Sequence, residues 1–170
     1  MSPTAEHQPG QPALAPVFRL AEQADRATLV ELMRQFNAID AYPFDAQITR
    51  AVLTRFIDDP ALGRLWLILV EEAIVGYLAL TFGYSFEYQG RDAFIDEFYL
   101  LPGYREQGIG TQAIEFAIAA CPDLGVHALH LEVERYNPAQ RLYRRAGFAA
   151  HDRALLTRRI DQPNSPEGNT

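Results

Sequence analysis

The sequence predicts a mixed α/β domain in which strands and helices alternate, and three features predict it. Two apolar runs, residues 65–70 and 74–82, flank a short turn at 71–73 and read as an antiparallel hairpin buried on both faces. Residues 91–101 read as a central strand, from which a glycine-bearing loop leads straight into an apolar helix pattern at 111–120. Residues 128–134 then alternate as a strand ahead of a helix at 139–146. At 170 residues, 48% hydrophobic and 22% charged, the chain has the size and composition of one globular core.

Residues 1–16 hold four prolines and no pattern, and 161–170 are rich in Pro, Asn, Ser and Gly. Both ends are expected to be mobile tails around a domain spanning 17–160. The first strand is expected at 17–20. Asp25 is an N-cap for a helix whose apolar stripe runs through Leu29, Val30, Leu32, Met33 and Phe36. A loop at 37–45, broken by Pro43, separates it from a second helix at 46–56 with Ile48, Val52, Leu53 and Phe56 on one face. The connection at 83–90 is unusually aromatic. Its Tyr84, with Glu87 and Asp92 close by, could seat an organic cation, where a π face and a carboxylate act together, or could simply pack. Gly147 suits the C′ position of the last helix, and a final strand is expected at 154–160. No internal repeat is visible.

The stretch 93–110, A-F-I-D-E-F-Y-L-L-P-G-Y-R-E-Q-G-I-G, organises the chain. It ends a strand, turns through Arg105, Gly108 and Gly110, and opens a helix. The first N–H groups of a helix have no partner within it and carry the positive end of its dipole, so the order strand, glycine loop, helix builds an anion site. Glycines let the backbone approach a phosphate and adopt positive φ, and Arg105 can add a charge-assisted contact. A tight strand-to-helix turn would use the same glycines, so the neighbouring segments have to decide.

They do. R-E-Q-G-I-G at residues 105–110 matches the (Q/R)-x-x-G-x-(G/A) signature of the GNAT superfamily of acetyl-CoA-dependent N-acetyltransferases. The segment L-H-L-E-V-E-R-Y-N-P-A-Q-R-L-Y-R-R-A-G-F, residues 129–148, resembles that family's later motif of strand, Asn, helix with L-Y, then G-F. Two motifs in family order, each in its expected local structure, cover with their surroundings about residues 17–160. The resemblance implies a twisted, mostly antiparallel sheet of six or seven strands with helices on both faces.

It also implies a site and a chemistry. Acetyl-CoA is expected as co-substrate, with no metal, in a splay between the strands carrying residues 98–101 and 131–134. Its pantetheine would be held like an added strand along Tyr99, Leu100 and Leu101 and contacted by Asn137. A backbone N–H near these residues would steady the thioester carbonyl. Its pyrophosphate would lie on the amides of Arg105, Glu106, Gln107, Gly108, Ile109, Gly110 and Thr111. Many family members have Gly where this chain has Glu106, so that carboxylate is expected to point outward. An amine attacks only when neutral, so a base, usually acting through water, must take its proton. Asp96 and Glu97 are the candidates. As strand neighbours they should face opposite sides, so at most one should meet the acceptor; Glu97 reaches further. Tyr143 matches the family tyrosine that protonates the departing thiolate, a sensible donor because a phenol's pKa lies near a thiol's.

The acceptor is expected to be a primary amine on a cationic small molecule or peptide, because Asp45, Glu87, Asp92, Asp96 and Glu97 fall in segments that surround it in the family. Tyr42, Asp40 and Phe44 belong to the same acceptor-side loop, which could equally be solvated with its aromatics as anchors. An acetyl-CoA sensor without turnover is the alternative, against which Asp96, Glu97 and Tyr143 argue, since a sensor needs neither acid nor base. A P-loop reading fails for want of G-x-x-x-x-G-K-[ST], and the chain has 15 Arg but no Lys.

A formal charge of −7 gives nucleic-acid binding no broad electrostatic support, and it suits a cationic substrate. No run approaches the roughly 20 apolar residues of a membrane helix, and the N-terminus lacks the regions of a signal peptide, so a cytoplasmic protein is expected. Lone Cys121 excludes an internal disulfide and reads as a small packed residue; His127 and His130 stand at no metal spacing. Dimerisation, common in the family, is an expectation that the aromatic arm at 83–90 could support.

Overall fold

The computed structural model describes residues 15–134 and 137–160. The tails expected at 1–16 and 161–170 fall, apart from residues 15 and 16, outside the described residues. Five strands form one sheet in the order β1 (Val17–Leu20), β2 (Gly63–Val70), β3 (Ala73–Ser85), β4 (Gly90–Leu100) and β5 (Val126–Leu131). β1 to β4 are antiparallel neighbours, and β5 runs parallel to β4. Helices α1 (Arg26–Ile39) and α2 (Ala46–Asp58) cover one face, and α3 (Ile109–Ala120) and α4 (Gln140–Arg145) the other. The mixed class and the two-faced helix cover are as expected.

The strand count is lower than six or seven among the described residues. Residues 154–160 form no strand, and Leu155, Leu156 and Ile160 are exposed. Adjacent Leu155 and Leu156 would point to opposite sides of any strand, so the segment has no consistent apolar face to bury.

Each face has its own core. Leu29, Leu53, Leu67, Tyr77 and Tyr99 pack beneath α1 and α2, while Ile68, Leu78, Leu80, Ile109 and Ile114 pack beneath α3. Phe116 of α3 stacks on Phe18 at 4.4 Å between ring centroids and meets Trp66 edge-on at 5.2 Å, which seats the helix across β1 and β2. Burying a side chain such as Leu29 or Leu67 completely contributes about 1.5–3 kcal/mol each. α2 starts where it does because the Asp45 carboxylate accepts the N–H groups of Gln47 and Ile48 at 2.8 and 3.0 Å. Asp25 precedes α1 but does not cap it. Its carboxylate takes both forks of Arg19, at 2.8 and 3.0 Å, and the Glu22 N–H at 2.8 Å.

Two irregularities set the sheet apart from a regular ladder. Parallel pairing of β4 with β5 runs from Arg91↔Val126 to Ile95↔Leu131 and stops, so β4 continues to Leu100 without β5 beside it. On the other side, Ala79 pairs with Glu97 but Leu80 pairs with Ile95, which leaves Asp96 as the extra residue of a β-bulge. No helix among the described residues is long and apolar enough to cross a membrane.

Candidate active site

The glycine loop builds the anion cradle from the N-terminus of α3. Gly108 takes φ 82°, a conformation that L side chains rarely adopt, and as N-cap its carbonyl accepts the first intrahelical bond, from Gln112 at 3.2 Å. The N–H groups of Ile109, Gly110 and Thr111 precede that bond, and the N-terminus of α3 orients them. The helix starts two residues earlier than expected, so Gly110 is helical and only Gly108 of the pair has positive φ. Glu106 is exposed, as an outward-pointing carboxylate should be, but at φ 61° it occupies the left-handed region. Arg105 is held from behind: its Nε donates to the Leu100 carbonyl at 2.9 Å, with its guanidinium 5.4 Å from the Tyr99 ring centre. Gln107 donates to the Gly103 carbonyl.

The carboxylates lie where β5 leaves β4. The bulge resets the alternation of β4, so Ala93, Ile95, Phe98 and Leu100 meet the α3-side core while Asp96, Glu97 and Tyr99 all belong to the α1/α2 side. The expectation that neighbouring Asp96 and Glu97 face opposite ways is therefore corrected: both line one cleft of about 660 Å³. Burial pushes the Glu97 carboxyl above its ordinary range, the Asp96 charge adds to that, and a 2.8 Å hydrogen bond donated by the Tyr77 hydroxyl opposes it. Tyr77 is fully buried, and burial together with the Glu97 charge holds its phenol protonated. Asp96 is more exposed than Glu97, and desolvation pushes its carboxyl up as well.

Tyr143 is placed by a helix ending. The Phe148 N–H bonds the Tyr143 carbonyl at 3.0 Å and the Gly147 N–H bonds the Arg144 carbonyl at 3.1 Å, with Gly147 at φ 92°, which is a Schellman motif. The apolar contact that accompanies such a motif is the Phe148 ring edge-on to Tyr143 at 6.0 Å. Burial raises the Tyr143 phenol, which keeps it a proton donor at neutral pH. α4 lies against the anion cradle, since a Cβ on Gly110 would stand 3.5 Å from Leu142. Asn137 accepts the Ala139 N–H at 2.9 Å ahead of α4, leaving its amide nitrogen to other partners.

The expected acceptor residues do not converge. Asp45 lines the cleft while capping α2. Tyr42 is exposed on the loop before it, Tyr84 is exposed near the hairpin tip against Phe86, and Glu87 pairs with Arg153 at 3.2 Å on the surface. Asp92 sits 3.6 Å from His130, itself between the Tyr88 and Phe94 rings. Tyr99 and Leu100 are buried, the Tyr99 hydroxyl donating to Gln35 at 3.2 Å, and Leu101 is half-buried. Cys121 is buried with its thiol donated to the Ala117 carbonyl, a packed residue as expected. No cluster of three potential metal ligands occurs among the described residues. A smaller cavity of about 150 Å³ between β1 and the end of α2 has Arg64 as the one charged residue in its wall and lies away from the carboxylates.

The Acetyltransferase (GNAT) family model matches residues 27–148, which span the bulged strand, the cradle and the Schellman turn. The chain belongs to this family. Among curated proteins, the thialysine N-epsilon-acetyltransferase of Bos taurus is 36% identical over 75 residues, 44% of this chain and 44% of that protein, so the match spans under half of that relative. The uncharacterised N-acetyltransferase YycN of Bacillus subtilis (strain 168) is 33% identical over 115 residues, 66% of this chain and 72% of its own. Among solved structures, an integron cassette protein from the mobile metagenome of Cole Harbour Salt Marsh superposes with TM-score 0.77 at 34% identity, covering 86% of this chain and 91% of the other. A predicted acetyltransferase of Clostridium acetobutylicum, solved with acetyl-CoA, shares the fold: TM-score 0.71, 17% identity, 85% and 96% covered. The GNAT chain is thus an acyltransferase.

Three features of this GNAT site were not read from the sequence. Tyr77 reaches Glu97 through the β3–β4 register, which places it opposite Tyr99. Arg159 lines the cleft from the segment expected to be a strand, and nothing in R-R-I signals it. The apolar wall of α2 was visible as a helical stripe, but a stripe normally marks core, and Ile48 and Val52 are 63% and 60% exposed.

Proposed function

We propose that this acetyltransferase moves the acetyl group of acetyl-CoA onto a primary amine bound in the cleft between α2 and β4. The observation that carries the reading is the pair Asp96 and Glu97, turned by the bulge to one side at the point where β5 leaves β4. The amides at the start of α3, beside glycine in the left-handed region, suit a pyrophosphate, and the unpaired edge of β4 from Asp96 to Leu100 suits an extended amide chain. When bound, acetyl-CoA supplies the acetyl thioester.

The chain's own groups would do the proton work. Glu97, or Asp96 in its place, takes the proton that an alkylammonium must lose before its nitrogen can form the C–N bond. A raised pKa brings either carboxylate nearer to that of its task. As the C–S bond breaks, the Tyr143 phenol holds the proton that the sulfur needs, and Arg105 keeps the end of β4 and the loop together through the Leu100 carbonyl. Thiol release from acetyl-CoA by the purified protein, across a panel of amines with Tyr143→Phe as control, tests this. Amine-dependent release that the variant loses supports transfer. Tight acetyl-CoA binding with no amine turned over would leave a sensor instead.

A further inference from the structure

The cleft says more about the acceptor than that it carries an amine. Asp96 and Glu97 line it, but its walls are apolar over most of their extent: Met33 from α1, Phe44 ahead of α2, and Ile48, Val52 and Phe56 along α2. Three of the polar groups among these walls are occupied locally. Asp45 caps α2, the Thr49 hydroxyl donates to the Asp45 carbonyl at 2.8 Å, and the Asn37 amide donates to the Met33 carbonyl at 2.8 Å. Ile48 and Val52 stand one helical turn apart, line the cleft and are both more than half exposed among the described residues. A cavity of about 660 Å³ has the volume of a small-molecule site.

An acceptor that leaves such a wall wet gains nothing from it. A second ammonium group laid along it would be stripped of water, and the one carboxylate on that wall, Asp45, already accepts the N–H groups of Gln47 and Ile48. This geometry disfavours the polyamines and aminoglycosides that acidic residues alone would suggest, because Glu87 and Asp92 lie elsewhere, paired with Arg153 and beside His130.

We infer that the acceptor is an amphipathic primary monoamine, its nitrogen at Asp96 and Glu97 and an alkyl or aryl body against Ile48, Val52 and Phe56. The inference rests on the amine-transfer reading above and names the substrate class for that same site. Its test separates the two. The kcat/KM for acetyl transfer is measured by thiol release for propylamine, butylamine, hexylamine, 2-phenylethylamine, spermidine and one aminoglycoside. Burying each added methylene should raise kcat/KM by roughly fourfold from propyl to hexyl. 2-Phenylethylamine should exceed spermidine by at least about tenfold. Val52→Asp, on an exposed position that does not endanger the core, should flatten the chain-length slope while acetyl-CoA still binds; Ile48→Ser provides the same test with a neutral side chain.

A flat slope in the wild type, or spermidine or the aminoglycoside ahead of the monoamines, overturns the apolar-body inference while leaving amine transfer intact. A slope that survives both wall variants also overturns it, because the body then binds elsewhere. Acetyl-CoA binding with no amine in the series turned over removes the transfer reading and this inference together.

Discussion

Replacing Tyr77 by Phe isolates one hydrogen bond at the carboxylate pair. The Tyr77 hydroxyl donates to Glu97 at 2.8 Å from a fully buried ring, and Phe keeps the ring, its packing against Tyr99 and the β3–β4 register. A hydrogen bond to a charged group contributes about 1.5–3 kcal/mol when enclosed. Glu97 is half-buried and keeps some solvent contact, which places the expectation at the low end of that range. At about 1.4 kcal/mol per pH unit, the Glu97 pKa should rise by roughly one unit. The direction follows from which form the bond favours: it stabilises the carboxylate, so its loss favours the acid. If Glu97 is the base, the acidic limb of the kcat/KM profile moves up by about one unit, with up to about tenfold less activity below it and near wild-type activity on the plateau. The assay is thiol release against pH with any amine that turns over. A limb that stays put with a lowered plateau would refute the argument, reducing Tyr77 to packing or moving the base to Asp96.

Tyr143→Phe preserves the edge contact with Phe148 and the Schellman turn, so it should leave acetyl-CoA affinity near wild type and lower kcat by on the order of 10²-fold; an affinity loss of that size would make the residue structural. Glu97→Gln and Asp96→Asn should each abolish or lower activity yet raise thermal stability at pH 7. The sign follows from linkage: the folded state raises both carboxyl pKa values, so it binds those protons more tightly than the unfolded chain, and stability falls as pH rises through the interval between the two. Unfolding followed against pH should show that negative slope shrinking in each variant. Glu71 and Glu72 form the β2–β3 turn with φ 49° and 72°, so Glu71→Asn with Glu72→Gly should stabilise by about 1–2 kcal/mol, or a few degrees in Tm by calorimetry. Glu106→Gly relieves a third left-handed side chain and removes a negative charge beside the cradle, so acetyl-CoA affinity by titration should rise.

The parts legible in the sequence are those that depend on local chemistry. The glycine loop, the helix it opens, the C′ glycine after Ala146 and the hairpin around Glu71 each follow from a few neighbouring residues, and each stands within two residues of its expected place. The acceptor side was less legible because it depends on register. Glu87 and Asp92 lie near Asp96 in the chain, yet Glu87 lies at a hairpin tip facing Arg153, and Asp92 stands beside His130 of β5. Proximity in sequence along an extended strand separates side chains by about 3.3 Å per residue, so charge clustered in a string is spread out in space.

The bulge at Asp96 was the decisive omission, and its trace is nevertheless in the string. The residues that meet the α3-side core are Ala93, Ile95, Phe98 and Leu100, in steps of two, three and two. A regular strand permits only steps of two on one face, so the step of three marks one extra residue between Ile95 and Phe98. That extra residue has a chemical consequence. In an unbulged strand Asp96 and Glu97 would straddle the sheet, one of them turned toward the core that holds Ile109 and Leu80 at the cost of an unpaired charge in apolar surroundings. With it both carboxylates share the cleft, close enough that the Asp96 charge raises Glu97. The same inserted residue that turns them together falls where β5 stops pairing. One irregularity thus places the carboxylates beside an open strand edge, and a deletion of Asp96 should restore regular alternation with Glu97 still opposite Ala79 on the cleft side, so transfer that survives the deletion marks Glu97 as the base and transfer that is abolished moves that role to Asp96.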